Sequence, residues 1–577
     1  MGVAALENLP RFQPRSFVPE NCDLGDWNQL EPLFVKLEEE AAKLKSPKAL
    51  EKWVLKASEL GAALFQEEAK RYINMTCQTD DPAAEKAFLH FVEHIEPQAK
   101  PRWHKLDELF VASPFREKLS KKRWLVFERD TRKDIELFRP ENIPLQTDES
   151  KQATLYQKTV GAMAVTYKGQ EYTLQQMGRF FEEPDRAVRE EAWKLVALRR
   201  LQDKDKIEDL YDGLIKLRGE MAKNAGFENY RDYAFESRGR FDYTPTHCED
   251  FHKAVEELVV PVARKLQQRR RKLLGVKDLR PWDLGVDPKN RAPLQPFKDA
   301  QTLIEKTHEI FKRIDPSLGQ DFNVLRENKL LELDSRRGKA PGGYQHSLEE
   351  ARLPFIFMNA VGLQRDVETL LHEGGHAFHS LATRNENLLA YRHAPIEFCE
   401  VASMSMELLA SPHLEVFYSK ADADRAHRVH MEGIVALLPW VATIDAFQHW
   451  VYTRPHTREE RRAYWLELLG RFGGIESWSG FEDCRGYLWH RQQHLFTSPF
   501  YYIEYGIAQL GALQVWLKSK KDTPKAIANY RKALALGRSR PLPDLFKAAG
   551  AKFDFSAKTV KPLARAITRE LKSLENA

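Results

Sequence analysis

The run Leu371-His372-Glu373-Gly374-Gly375-His376-Ala377-Phe378-His379 constrains this chain more than any other stretch. On a helix, residues i and i+4 share one face. His372 and His376 can therefore aim two imidazole nitrogens at one ion. Glu373 stands beside them, where its carboxylate can take a proton from a water that the ion activates. Val367, Leu370 and Leu371 supply an apolar stripe at helical spacing, so a helix is predicted here. Asp366 and Glu368 lie at its start, where the helix dipole favours acids. Gly374 and Gly375 each cost about 1 kcal/mol relative to alanine inside a helix. That cost implies a place where a side chain would obstruct something, such as a passing substrate strand, or else a mobile, kinked surface helix.

Zinc held by two His and one carboxylate leaves a fourth position for water, so a third ligand is expected. Pro395 reads as the first residue of a new helix, where its missing N–H is no loss. Within Ile396 to Glu407, Glu400, Ser403 and Glu407 share one face. Carboxylates on an otherwise apolar helix are costly unless paired or metal-bound. Glu400 is the expected ligand and Glu397 its nearest competitor. Glu407, like His379, is expected to orient a ligand histidine.

The run HEGGHAFH, followed by Phe398-Cys399-Glu400-Val401-Ala402-Ser403, resembles the oligoendopeptidase F branch of the thimet oligopeptidase family of zinc metallopeptidases. Gly374 stands where that family often carries a bulkier residue. Lys339-Ala340-Pro341-Gly342-Gly343-Tyr344 is similar to the family's glycine-rich edge strand, which implies that Gly342, Gly343 and Tyr344 lie along bound peptide. Phe355 to Asn359, Ile444 to Tyr452 and Pro499 to Tyr505 also look like family segments, and the likeness spans roughly residues 150 to 560. It implies one Zn²⁺ per chain on His372, His376 and Glu400, with Glu373 as general base. It further implies that Tyr505 and His494 polarise the scissile carbonyl, helped by Tyr501 and Tyr502. The implied substrates are short peptides cut at internal bonds. An exo-acting metallopeptidase with the same metal centre, and a non-catalytic helical peptide binder, are the rival readings.

From Leu495 to Leu517 there is one charged residue, Glu504. Three tyrosines, two glutamines and a proline interrupt the run, which favours a buried helix near polar groups over a membrane span. Phenol hydroxyls there can donate to a developing oxyanion, or belong to ordinary core aromatics. His90-Phe91-Val92-Glu93-His94 matches the inverted metallopeptidase pattern H-x-x-E-H. Pro97 and Pro101 are expected to end that helix at once, and surface histidines are the better reading.

Of 577 residues, 42% are hydrophobic and 30% charged, as in ordinary globular proteins. The balance of 89 basic against 84 acidic residues gives +5, too little to imply nucleic acid. The basic run Arg269 to Lys272 reads as the solvated end of an amphipathic helix. Cys22, Cys77, Cys248, Cys399 and Cys484 show no paired spacing, which fits a reducing compartment. Met1 to Glu20 lacks the apolar core of a secretory signal, so a cytoplasmic protein without membrane attachment, monomer or homodimer, is expected.

Helical patterns dominate, among them Trp27 to Leu44, Pro47 to Cys77, Asp185 to Ala225, Pro245 to Leu274, Lys298 to Ile314, Lys525 to Leu536 and Lys558 to Leu574. Val165 to Thr173 reads as a hairpin about Lys168-Gly169, with Leu330 to Asp334 and Leu353 to Asn359 as short strands. The predicted fold is mostly α: an elongated, two-lobed helical metallopeptidase with a deep central cleft and a small β-sheet beside the active-site helix. Residues 1–200 are expected to form an N-terminal helical region carrying the hairpin, and 201–577 the catalytic region.

Overall fold

The computed structural model describes residue 6 and residues 9–336, 338–340 and 342–575; Pro341 lies outside the described residues. Helices dominate, and the described strands form a two-stranded and a three-stranded sheet. The chain divides into two compact units, each assembled from separated stretches. The first comprises residues 1–147, 296–417 and 511–553; the second comprises 148–295, 418–510 and 554–577. This differs from a linear boundary near residue 200, because long-range packing rather than chain order groups the helices. The hairpin falls in the second unit.

The first unit opens with helices Trp27–Ala41 and Pro47–Cys77. The longer one starts where Ser46 accepts a hydrogen bond from the Ala49 N–H at 3.1 Å, a side-chain cap in front of a proline at the first helical position. The expectation that Pro97 and Pro101 end the next helix is corrected. Pro82–His90 runs through a π turn, Phe91–Ile95, into Glu96–Ala112. The widened turn reshapes the hydrogen-bond ladder just ahead of Pro97, and the helix carries Pro101 in its interior.

Strands β1 (Ala164–Tyr167) and β2 (Gln170–Thr173) pair antiparallel about Lys168 and Gly169, whose φ values of 51° and 79° are those of a tight hairpin turn. In the first unit, β3 (Leu331–Asp334), β4 (Tyr344–Leu348) and β5 (Leu353–Ala360) form a sheet in the order β3-β5-β4. The central β5 is buried over Leu353 to Met358 and is parallel to β3 and antiparallel to β4. It packs on the helix Gln364–Ala382, so the expected sheet beside the histidine helix is present. The helix Ile396–Ala410 is buried nearly all round, which explains its apolar composition.

The second unit is organised about the helix Lys420–Thr453, the described helix long and apolar enough to cross a membrane, with 78% of its apolar window buried. Pro245–Leu258, Arg458–Phe472 and Ala557–Ser573 pack on it. The expected continuous helices 185–225 and 245–274 are each broken in two, the second at Val259-Val260-Pro261, because Pro261 cannot donate to the ladder.

Candidate active site

Asp366 begins the histidine helix by accepting hydrogen bonds from the N–H groups of Val361 and Leu363, at 2.8 and 2.9 Å. Two turns later the helix presents His372 and His376. Their nearest ligand atoms and those of Glu400 lie within 4.8 Å of one another, one of two such groups of three among the described residues. Glu397, also buried, is in neither group. The Glu400 Oε2 atom is 3.3 Å from His372 Nε2 and 3.6 Å from His376 Nε2. Ser403 donates to that same oxygen at 3.1 Å.

Gly375 explains how Glu400 comes so close. A Cβ on Gly375 would stand 2.5 Å from Ser403 Cα and 2.7 Å from the Ala402 carbonyl oxygen, both on the neighbouring helix. A Cβ on Gly374 would stand 2.6 Å from the Phe311 ring. The obstruction anticipated from sequence is therefore helix against helix, not a substrate strand. Only glycine lets the two backbones approach.

Electrostatics prepare the cluster for a cation. Burial alone would lower the His372 pKa, but Glu400 on one side and Glu407 on the other hold it well above the usual imidazole value. Its Nδ1 pairs with Glu407 Oε1 at 2.7 Å, the orienting contact expected of Glu407. Burial takes His376 down to about 4, leaving a neutral nitrogen lone pair near pH 7. Glu373 is buried beside them. Desolvation pushes its carboxyl up to about 7, and the Gln345 backbone N–H pulls the other way. Its Oε2 has no hydrogen-bond partner within the protein. Two nitrogens and one carboxylate oxygen, next to an orphaned basic oxygen, fit a divalent metal and a water to be deprotonated.

His379 is not brought into this cluster by hydrogen bonds. Both its ring nitrogens are buried without partners, its ring lies edge-on to Phe398 at 6.0 Å, and burial takes it down to about 3. It behaves as a neutral core group.

Tyr344 opens the edge strand β4, but its ring stacks on Phe357 at 4.8 Å and its hydroxyl is engaged by Thr76 at 2.6 Å. That phenol is tied into the protein. Gly342 takes φ +98°, and a Cβ on Gly343 would touch the Phe357 carbonyl and Thr369 at 3.4 Å. Two residues at the ends of quoted runs, given no role of their own from sequence, pin this segment. Lys339 donates to the Asp334 and Met358 carbonyls, both at 2.7 Å, and Asn359 donates to those of Ala340 and Gly342. No sequence pattern marks either role.

In the second unit, His494 Nε2 lies 3.3 Å from the Tyr505 hydroxyl, and its ring adjoins those of Tyr501, Tyr502 and Tyr505. Trp440 donates to Gln492 at 2.9 Å, and Gln492 reaches His494 Nδ1 at 2.9 Å. Burial pushes Tyr502 up to about 12. The lone charge of this apolar segment, Glu504, is buried and paired with Arg240 at 3.0 Å. A paired buried charge suits a folded core. Among the described residues the inverted motif yields no cluster: His90 reaches the Gly25 carbonyl, and neither His90 nor His94 joins a metal-ligating group there. The basic run is answered locally by Arg270–Glu432 and Arg269–Glu575 ion pairs.

Comparison with known proteins places this geometry. Residues 179–565 match the profile of peptidase family M3, and residues 18–138 match a peptidase M3 N-terminal domain. Oligopeptidase PepF of Bacillus subtilis is 24% identical over 389 residues, covering 64% of this chain and 55% of that protein. An oligoendopeptidase F homolog of Borreliella burgdorferi is 25% identical over 303 residues, 50% of this chain and 49% of that protein. The chain thus spans about half the length of the curated relatives it matches. The solved structure of PZ peptidase A with an inhibitor superposes with a TM-score of 0.92 at 29% identity, covering 97% of this chain and 99% of that one. The chain belongs to peptidase family M3.

Proposed function

We propose that this protein is a zinc-dependent oligopeptidase that hydrolyses internal bonds of short peptides. The observation that carries the reading is the orphaned, buried Oε2 of Glu373 beside the His372–His376–Glu400 donor set. Bound there, zinc would supply Lewis acidity toward a water and toward the scissile carbonyl. Glu373 removes the proton from the attacking water and delivers it to the departing amine. Glu407 fixes the tautomer and direction of His372 through its contact with Nδ1. The edge position of β4 supports binding of an extended peptide by strand addition, with backbone groups rather than the Tyr344 phenol making the contacts. The family resemblance gives Tyr505 and His494 the oxyanion.

The test is incubation of the purified protein with a library of short peptides and with a folded protein, before and after chelation. Internal cleavage of peptides that stops on chelation and returns with zinc is expected, with the folded protein left intact. Chelator-insensitive cleavage, or release of terminal residues only, would overturn the reading.

A further inference from the structure

In the second unit, the helices Pro245–Leu258 and Lys420–Thr453 pack together and turn an i, i+4 pair toward each other. Cys248 and His252 come from the first, Asp445 and His449 from the second. The thiol sulfur of Cys248, a carboxylate oxygen of Asp445 and an imidazole nitrogen of His449 lie within 4.8 Å of one another, and all three residues are buried. Asp445 has no exposed surface at all. Its Oδ2 is 2.8 Å from His252 Nε2, yet its Oδ1 has no hydrogen-bond partner in the protein. His449 Nε2 sits 3.2 Å from Oδ2, but neither ring nitrogen makes a well-directed hydrogen bond.

Leaving such groups unsatisfied in a core is costly, and most buried polar atoms avoid it. The donor atoms of Cys248, Asp445 and His449 nevertheless converge. One sulfur, one nitrogen and one oxygen donor are the set that zinc accepts, whereas calcium and magnesium select oxygen alone.

We propose that Cys248, Asp445 and His449 form a second, non-catalytic metal site, selective for zinc-like divalent ions. His252 is the positioning residue: its Nε2, 2.8 Å from Oδ2, fixes the Asp445 carboxylate beside His449. Binding releases the Cys248 thiol proton to solvent, since the thiolate is the ligand. His252 and His449 line a cavity of about 710 Å³, which gives the ion a route in. The site shares no residue with the His372 cluster.

The test uses the full chain, stripped of metal by chelator and titrated with zinc and separately with cobalt(II). Two zinc ions per chain are expected, and one in a His372→Ala/His376→Ala double variant. Cobalt should give a thiolate-to-metal charge-transfer band in the near ultraviolet that persists in that double variant, persists in Cys399→Ser and vanishes in Cys248→Ser. Cysteine to serine is nearly isosteric, so the band reports ligation without requiring a variant that disrupts the core. A wild-type stoichiometry of one that falls to zero in the double variant overturns the proposal, as does a band that survives Cys248→Ser. A stoichiometry of one that is unchanged in the double variant, with the band lost in Cys248→Ser, supports this site and overturns the His372 centre instead.

Discussion

Two pairs of packed helices carry nearly the same ingredients. In one, His372 and His376 face Glu400; in the other, Cys248 and His252 face Asp445 and His449. The difference lies in what else reaches the donors. The His372 and His376 side chains keep 21% and 18% of their surface exposed, and an orphaned carboxylate stands next to them. Asp445 and His449 keep 0% and 9%, and the additional titratable neighbour, His252, is already spent on Asp445. A catalytic metal site needs a position open to water and substrate and a base to activate that water. Donor identity alone therefore does not separate a reactive centre from a clamp; exposure and a spare base do.

The hardest test of that contrast is Glu373→Gln. Removing the base should lower kcat by roughly 10²–10⁴-fold while zinc content stays the same. His252→Gln, beside the closed cluster, should leave turnover close to that of wild type. Steady-state kinetics with metal analysis of both variants decides it, and equal losses of turnover would erase the distinction. Next in size is Tyr505→Phe. A phenol aimed at the oxyanion acts mainly in the transition state, so kcat should fall on the order of 10²–10³-fold with little change in KM. His494→Ala should show a weaker version of the same loss. If Tyr505→Phe is silent and Tyr502→Phe is not, the role passes to Tyr502.

Smaller effects probe how the open pair is held. Glu407→Gln keeps the shape but weakens the contact on His372 Nδ1, and zinc affinity measured by competition should drop about 10–100-fold. Unchanged affinity would make Glu407 a bystander. Gly375→Ala places a methyl 2.5 Å from Ser403 Cα. Forcing these two backbones apart should cost about 1–3 kcal/mol of stability and loosen zinc through Glu400. An alanine variant with wild-type melting and affinity would show that the helices have slack.

Much of the open pair was legible in sequence because its chemistry is local. Two histidines and a base sit within five residues, and helical spacing alone puts them on one face. Glu400 was legible because a carboxylate on an apolar helix needs a reason to be there. The closed pair was not legible. Cys248 and Asp445 are nearly two hundred positions apart, and nothing short of the packed helices brings them together. The same limit explains the glycines and the edge strand. Gly375 was visible as an anomaly, but its cause, the backbone at Ser403, lies on another helix. Tyr344 sits in the expected edge strand, yet its hydroxyl is captured by Thr76, which no local pattern foretells. The π turn at Phe91–Ile95 defeated the proline rule because a widened turn has no sequence signature of its own.

The smallest effect expected concerns carboxylates that lack what both clusters provide. Asp107 and Glu68 line an apolar cavity of about 390 Å³ in the first unit, and burial pushes them up to about 8 and about 7. Asp134 adds repulsion to Asp107 and Glu96 to Glu68, while Lys133 and Lys100 offset part of it. A carboxyl whose folded pKa is raised contributes stability that is present below the unfolded value and is lost as pH climbs to the folded one. For Asp107 that window runs from its ordinary value of 3.8 to about 8. Within the window stability falls by at most about 1.4 kcal/mol per pH unit, and because the group keeps some exposure, solvent screening narrows the window itself. Apparent melting temperature should therefore fall more steeply between these limits in wild type than in Asp107→Asn, whose amide cannot ionise. Parallel pH profiles would mean that water or Lys133 already solvates the charge, and that burial without a partner is tolerated in this fold.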